Sequence, residues 1–227
     1  MKRLILTALI LLTGAPVAWA QSALSADANR AVQITEARQA NAALMHHYTW
    51  MSRTEILKDG QIKDTRLETL HYDPFGQLQR SLINDQSAPL PRGFLRRAVA
   101  DNEREETEQY LTGLRGLLEQ YTLASTGKIL DFMTAAKPMG PDASGLFSMT
   151  GTNVVQPGDS LTIWVNAMTK HVARIQVNTA FQGNAVQLNA TFTTIPSGLN
   201  YVAFAEATVP SKQLSVQVQN FNYTRPN

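Results

Sequence analysis

VNTAFQGNAVQLNATF, residues 177–192, is the stretch that decides the fold. Large apolar side chains alternate with polar ones on both sides of Gly183-Asn184, a pair that tolerates the left-handed backbone of a tight hairpin. Folding the stretch about that pair sets Phe181 opposite Val186, Val177 opposite Ala190 and Ile175 opposite Phe192. Because side chains alternate along a strand, all of these fall on one side.

The pattern extends in both directions. The preceding strand places Ile163 opposite Ile175 and Leu161 opposite Val177. A turn at PSGL (196–199) brings Phe192 beside Ala203 and Ala190 beside Ala205. A four-residue loop at PSKQ (210–213) sets Val209 by Leu214, Ala207 by Val216 and Ala205 by Val218. One apolar face therefore runs over five strands. The other face carries Thr162, Arg174, Gln176, Asn178, Gln187, Asn189, Gln217 and Gln219, and a slip of one residue would turn those polar groups inward. Turn signals at PGD (157–159) and AMTK (167–170) complete an antiparallel meander.

Earlier in the chain the period changes. Residues 24–47 read as a helix, with Ser25 as its cap and Ile34, Ala37, Asn41, Leu44 and Met45 as a weak stripe. YTWMSRTEILKDGQIKDTRLETLHYD (48–73) then folds about Asp59-Gly60, and DPFG (73–76) turns into a third strand, QLQRSLI. PLPRG (89–93) breaks the sheet. From Phe94 to Tyr121 a charged helix gathers Leu111, Leu114, Leu117, Leu118 and Tyr121, with a break expected near Gly113 and Gly116. A second helix, TGKILDFMTAAK (126–137), groups Ile129, Phe132, Met133 and Ala136, and PMGPDASG (138–145) ends it as a loop.

The chain opens with Lys2 and Arg3, an apolar run from Leu4 to Leu12, and Ala18-Trp19-Ala20. This is the plan of a secretory signal peptide, with cleavage expected after Ala20. Residues 1–20 are thus read as leader and residues 21–227 as a single domain, and the 207 residues left by removing 20 of 227 suffice for one core. Export gives a periplasmic location where the envelope has two membranes. Removing Lys2 and Arg3 takes the 20 Lys and Arg to 18, level with the 18 Asp and Glu. A neutral chain has no broad attraction for phosphates, so nucleic acid is not expected as a partner. No later stretch approaches the length of a membrane helix.

With no cysteine, disulfides, thiolate nucleophiles and cysteine-based metal sites are excluded. His46-His47 point about 100° apart on a helix and serve a metal poorly; His71 is expected opposite Tyr48, and His171 stands alone. Arg53, Glu55, Asp64, Arg66 and Glu68 share one face of the first hairpin if its register is unbroken, with Glu55 opposite Asp64 and Arg53 opposite Arg66. Neighbouring arginines keep both carboxylates ionised, so the cluster reads as a charge lattice rather than an acid–base pair. Arg92, Arg96 and Arg97, followed by Glu103, Glu105 and Glu106, read as a solvated helix face. No G-x-S-x-G, S-x-x-K or glycine-rich phosphate loop occurs. No catalytic residue, metal or cofactor is expected.

SLTIWVNAMTKHVARIQV (160–177) resembles the strand–turn–strand of bacterial outer-membrane lipoprotein carriers, and the order of elements is similar too. That resemblance implies an α+β fold: an antiparallel β half-barrel of about eight to nine strands with helices on its concave face, lidding an apolar cavity. YTWMSRTEILKDGQIK, YDPFGQLQR, VVQPGDSLTIWV and VQNFNY resemble, over nearly the whole of residues 21–227, a group of uncharacterised exported bacterial proteins of that shape. The expected function is binding of a lipid, acyl chain or apolar protein segment, with a lipid or lipoprotein as partner. Leu161, Ile163, Val177, Phe181, Leu188 and Phe192 would line the site from the sheet, and Phe132 and Met133 from the lid. The alternative is an envelope structural or protein-interaction module with a filled core. A broad apolar face whose fourth strand carries small Ala203, Ala205 and Ala207 suits a ligand or a closely packed helix.

Overall fold

The structure, a computed structural model, describes residues 17–87, 94–166 and 168–225. Most of the expected leader, the PLPRG break and Ala167 of the AMTK turn lie outside them, as do the side chains of Arg92, Arg96, Arg97 and Glu103. Ten strands form one antiparallel sheet: β1 (Thr49–Lys58), β2 (Gln61–Tyr72), β3 (Leu78–Ser87), β4 (Lys137–Met139), β5 (Leu146–Thr152), β6 (Ser160–Asn166), β7 (Val172–Phe181), β8 (Asn184–Thr194), β9 (Asn200–Val209) and β10 (Leu214–Thr224). Their order is β3-β2-β1-β10-β9-β8-β7-β6-β5-β4. The first and last of these strands, β1 and β10, pair inside the sheet, third and fourth from the β3 edge, and join two meanders; the edges β3 and β4 do not meet. This is the open half-barrel with helices read from the sequence. Its tenth strand comes from Lys137–Met139, where the end of the second helix and the start of a loop were expected. Pro138 is tolerated there because β4 is an edge strand, where a missing N–H costs no ladder bond.

Registers follow the expectation with three local corrections. Ile163 opposes Ile175, Leu161 opposes Val177, and Val209, Ala207 and Ala205 oppose Leu214, Val216 and Val218. The β7–β8 turn, however, is Gln182-Gly183, with φ of 49° and 76°, so Val177 faces Leu188 and Ile175 faces Ala190. The pairing has moved by two residues. An even shift conserves the side, which is why the inward set is unchanged. A bulge near Thr191 and Phe192 then places Phe192 opposite Val202 rather than Ala203.

The third correction alters chemistry. Asp59-Gly60 makes the expected turn, with φ of 56° and 71°, but a bulge in β2 follows, and beyond it Ile56 opposes Asp64 and Thr54 opposes Arg66. Arg53 and Glu55 thus face one side, and Asp64, Arg66 and Glu68 the other. His71 opposes Thr49, not Tyr48. The single-faced charge lattice does not exist: Arg53 pairs with Glu55 at 3.4 Å, and Arg80 of β3 with Glu68 at 3.3 Å on the opposite side.

Three helices accompany the sheet. α1 (Val17–Met45) begins before Ser25, which is therefore internal and not a cap. Its buried side matches the expected stripe only in part: Asn41, Leu44 and Met45 are half-buried, but Ala37 is exposed. Ile34 is 40% exposed, whereas Ala31 is fully buried. Asn41 and Asn200 exchange two hydrogen bonds, and Arg38 donates to the carbonyl of Leu123 at 2.6 Å. Polar bonds fix this helix more than an apolar stripe does. α2 (Phe94–Glu119) passes through Gly113 and Gly116 unbroken and tightens into a 3-10 turn at Gln120–Thr122. α3 (Thr126–Ala135) is capped by Ser125, whose hydroxyl accepts from the N–H of Lys128.

Candidate functional site

Two helix-covered cores occupy the inward face. Over β6 and β7, Leu161 and Val177 are sealed beneath α1 and α3 with Ala31, Tyr121, Leu123, Ile129 and Phe132. Over the hairpin tips, Tyr110 and Leu114 of α2 press on Val186, Val209 and Leu214. Beside the first core, and meeting the second at Ile56, lies a strip whose side chains stay partly exposed. Ala205 and Ala207 of β9, Val216 and Val218 of β10, and Thr54 and Ile56 of β1 stand side by side in register, facing the same way as Leu188 and Ala190, and each is half-buried. The small alanines anticipated in the fourth strand of the meander form its floor.

The expected site residues divide between these regions. Leu161 and Val177 have no exposed surface and are core floor as the protein stands. Ile163, Leu188 and Met133 are half-buried against that core. Phe132 is buried and walls a cleft described below. Phe181 belongs to the second core, its ring 5.1 Å from Tyr110. Phe192 is half-buried, displaced by the bulge. The structure therefore gathers Phe132, Met133, Leu161, Ile163, Val177 and Leu188 into one cluster and sets Phe181 and Phe192 apart from it.

A cleft of about 430 Å3 opens beside that cluster, between α3 and the loop after β5. Gln120, Lys128, Asp131, Phe132, Val154 and Val155 are among its walls. The loop is held by Asp159, a carboxylate only 3% exposed. It accepts from the backbone N–H groups of Val154, Val155 and Gln156 at 2.6, 2.9 and 2.8 Å, and from the Tyr121 hydroxyl at 2.6 Å. Burial alone would raise the Asp159 pKa; the Tyr121 bond and the three backbone donors outweigh it and hold the carboxyl below its usual range. Burial and the neighbouring carboxylate push the Tyr121 phenol up to about 12. A phenol has one proton. With it given to Asp159, the 2.8 Å contact to Thr179 takes its proton from the threonine, and Gln156 Nε2 closes the chain by donating to Thr179 at 2.6 Å. This network positions a cleft wall.

An aromatic cluster at the opposite end of the sheet from the hairpin tips escaped the sequence reading. Trp50 stacks on Tyr223 at 5.6 Å and 3°, Tyr201 and Tyr48 approach the same ring, and His46 stacks on Tyr72 at 4.4 Å. Its one signal was the pairing of YTW near residue 50 with NY near residue 223, which needs β1 beside β10 to be visible. Burial, with Tyr201 and Tyr72 nearby, drives the Tyr223 pKa upward. The cluster places His46 in a stack, His171 bonds Thr194 at 3.0 Å, and His71 is exposed on β2.

No family model matches the chain, and no curated protein matches it. Among solved structures, a DUF1329 family protein from Desulfovibrio piger is similar at 10% identity and a TM-score of 0.37, over 89% of this chain and 92% of that one. A likeness that low bears on neither fold nor function. Among the described residues, no helix is long and apolar enough to cross a membrane.

Proposed function

We propose that this chain is an exported binding protein that takes an acyl chain, a lipid or an apolar protein segment between its sheet and helices. The periplasm is the proposed location where two membranes are present, and the acyl chains of a lipoprotein are one suitable cargo. The observation that carries this reading is the half-buried strip formed by Ala205, Ala207, Val216, Val218 and Ile56, which adjoins the first core across β8, meets the second core at Ile56, and is bordered on β2 by Asp64 and Arg66. Covering apolar surface there is worth about 25 cal/mol per Å2, or roughly 0.8 kcal/mol for each methylene removed from water. No turnover is proposed.

Native mass spectrometry of gently purified protein tests the reading, together with displacement of an apolar fluorescent dye by fatty acids. A co-purified lipid, and dye binding abolished by Ala205→Phe, are expected. A protein that carries nothing and leaves the dye in water sinks the proposal. That result favours a second reading, an envelope interaction module with a filled core, which is supported by the complete burial of Leu161 and Val177.

A further inference from the structure

The inward apolar strip ends in a cationic cleft. Along β1 and β10, side chains facing the helices run Thr54–Val218, Ile56–Val216 and then Lys58–Leu214, each pair directly opposed. Beyond Ile56 the strip thus changes from apolar to charged within one alternation. A cleft of about 270 Å3 opens at that point, lined by Lys58, Glu106, Thr107, Tyr110, Lys212 and Leu214. Lys212 comes from the turn between β9 and β10, and its ammonium stands 4.7 Å from the centre of the Tyr110 ring. Among the described residues that line it, two ammonium groups stand against one carboxylate.

Tyr110 adds an independent pointer. It is 7% exposed, and its hydroxyl is buried with no hydrogen-bond partner, the one such side-chain atom among the described residues. A buried phenol left unsatisfied is destabilising, so a site that retains one gains when an acceptor reaches it. Burial also raises its pKa, so at neutral pH it is a proton donor and not an anion. Two cations at a small cleft, with the unpartnered Tyr110 hydroxyl buried behind its wall, match a carboxylate or a phosphate.

We infer that this cleft seats the carboxylate or phosphate head of an anionic amphiphile, whose chain lies along Ile56, Val216 and Val218. The inference rests on the apolar-binding reading for the chain and stands on Lys58, Lys212 and Tyr110 for the head. From Leu214 to Val218 the strand rises about 13 Å, so a medium-length acyl chain reaches from the cleft across the strip. The charged pair fixes the ligand's direction, with its head at the hairpin tips and its tail toward the aromatic cluster.

Calorimetric titration with decanoate, decyl phosphate, decanol, acetate and inorganic phosphate tests this, using the full chain and the variants K58Q/K212Q and Y110F. Decanoate and decyl phosphate should bind at least about tenfold more tightly than decanol, and K58Q/K212Q should erase that preference. Y110F should weaken the anionic ligands by about three- to tenfold while leaving the free protein's melting temperature unchanged or higher, since it removes an unsatisfied group. A merely structural tyrosine would lose stability instead. Equal affinity for all three amphiphiles, untouched by K58Q/K212Q, overturns the inference and leaves the apolar-binding reading standing. Phosphate binding that disappears in K58Q/K212Q, without any amphiphile binding, keeps the head site and removes the tail. Silence from every ligand overturns both.

Discussion

Replacing Asp159 with asparagine changes shape hardly at all, which makes it a clean probe of the charge that holds the loop after β5. One carboxylate oxygen accepts from Val155, Gln156 and Tyr121, and the other from Val154. Asparagine can offer its carbonyl to the first three, but its NH2 then meets the Val154 N–H, a donor facing a donor. Hydrogen bonds to a charged group contribute roughly 1.5–3 kcal/mol against about 1 for neutral partners, so three weakened bonds lose about 2 kcal/mol. The orphaned Val154 N–H adds about 1–3 kcal/mol, and relief from burying a charge offsets part of the total. Asp159→Asn should therefore cost about 2–4 kcal/mol at neutral pH, read by urea denaturation. The acid limb gives the sharper check. Because the folded carboxyl titrates below its unfolded value, its stabilisation is complete above about pH 4 and is lost as pH falls through the folded pKa. The gap between the native protein and the variant should close on acidification. A gap that stays constant, or an asparagine variant as stable as the native protein at pH 7, would refute the electrostatic account of this loop.

Two glycines should respond in opposite senses. A Cβ on Gly151 would stand 2.7 Å from the Phe132 ring, so Gly151→Ala is expected to cost about 1–3 kcal/mol, and Phe132→Leu in the same chain should recover part of it. Gly116, with nothing near its missing Cβ, should give about 0.5–1 kcal/mol of added stability as alanine, measured by the same denaturation. Trp50→Ala should cost about 3–5 kcal/mol in that measurement, since a 5%-exposed ring stacked on Tyr223 leaves a large void. At the alkaline end, Tyr121 titrating near 12 and Tyr223 also raised mean that stability, intact below about pH 10, falls as pH rises further. Ultraviolet titration should show both phenols ionising late, and Tyr223→Phe should reduce the alkaline loss.

How much of this was legible beforehand depended on the parity of the error. The β7–β8 turn was misplaced because Gly183-Asn184 and Gln182-Gly183 both contain the glycine, and the second requires a glutamine at positive φ, which composition does not suggest. The mistake moved the register by two, so Val177, Leu188 and Ala190 still faced the helices. The β2 bulge moved it by one, and there the reading failed in substance: Glu55 and Asp64 went to opposite faces and a supposed cluster dissolved. A bulge is one extra residue with no composition of its own, so alternation in a single strand cannot reveal it.

The same distinction separates the floor of the candidate site from its ends. Alternation identifies the apolar strip, because each residue there is placed by its own strand. The cationic cleft draws Lys58 from one hairpin, Lys212 from another and Tyr110 from a helix a hundred residues away from the latter, and no spacing in the chain announces their meeting. Tyr110 was also disguised. It lies beside the Leu111–Leu114–Leu118 stripe, where a tyrosine reads as ordinary core, and only its partnerless hydroxyl distinguishes it. An apolar floor specifies that something greasy can be held. The direction in which it lies, and the charge it bears, depend on the few polar groups at the rim, which long-range topology alone assembles.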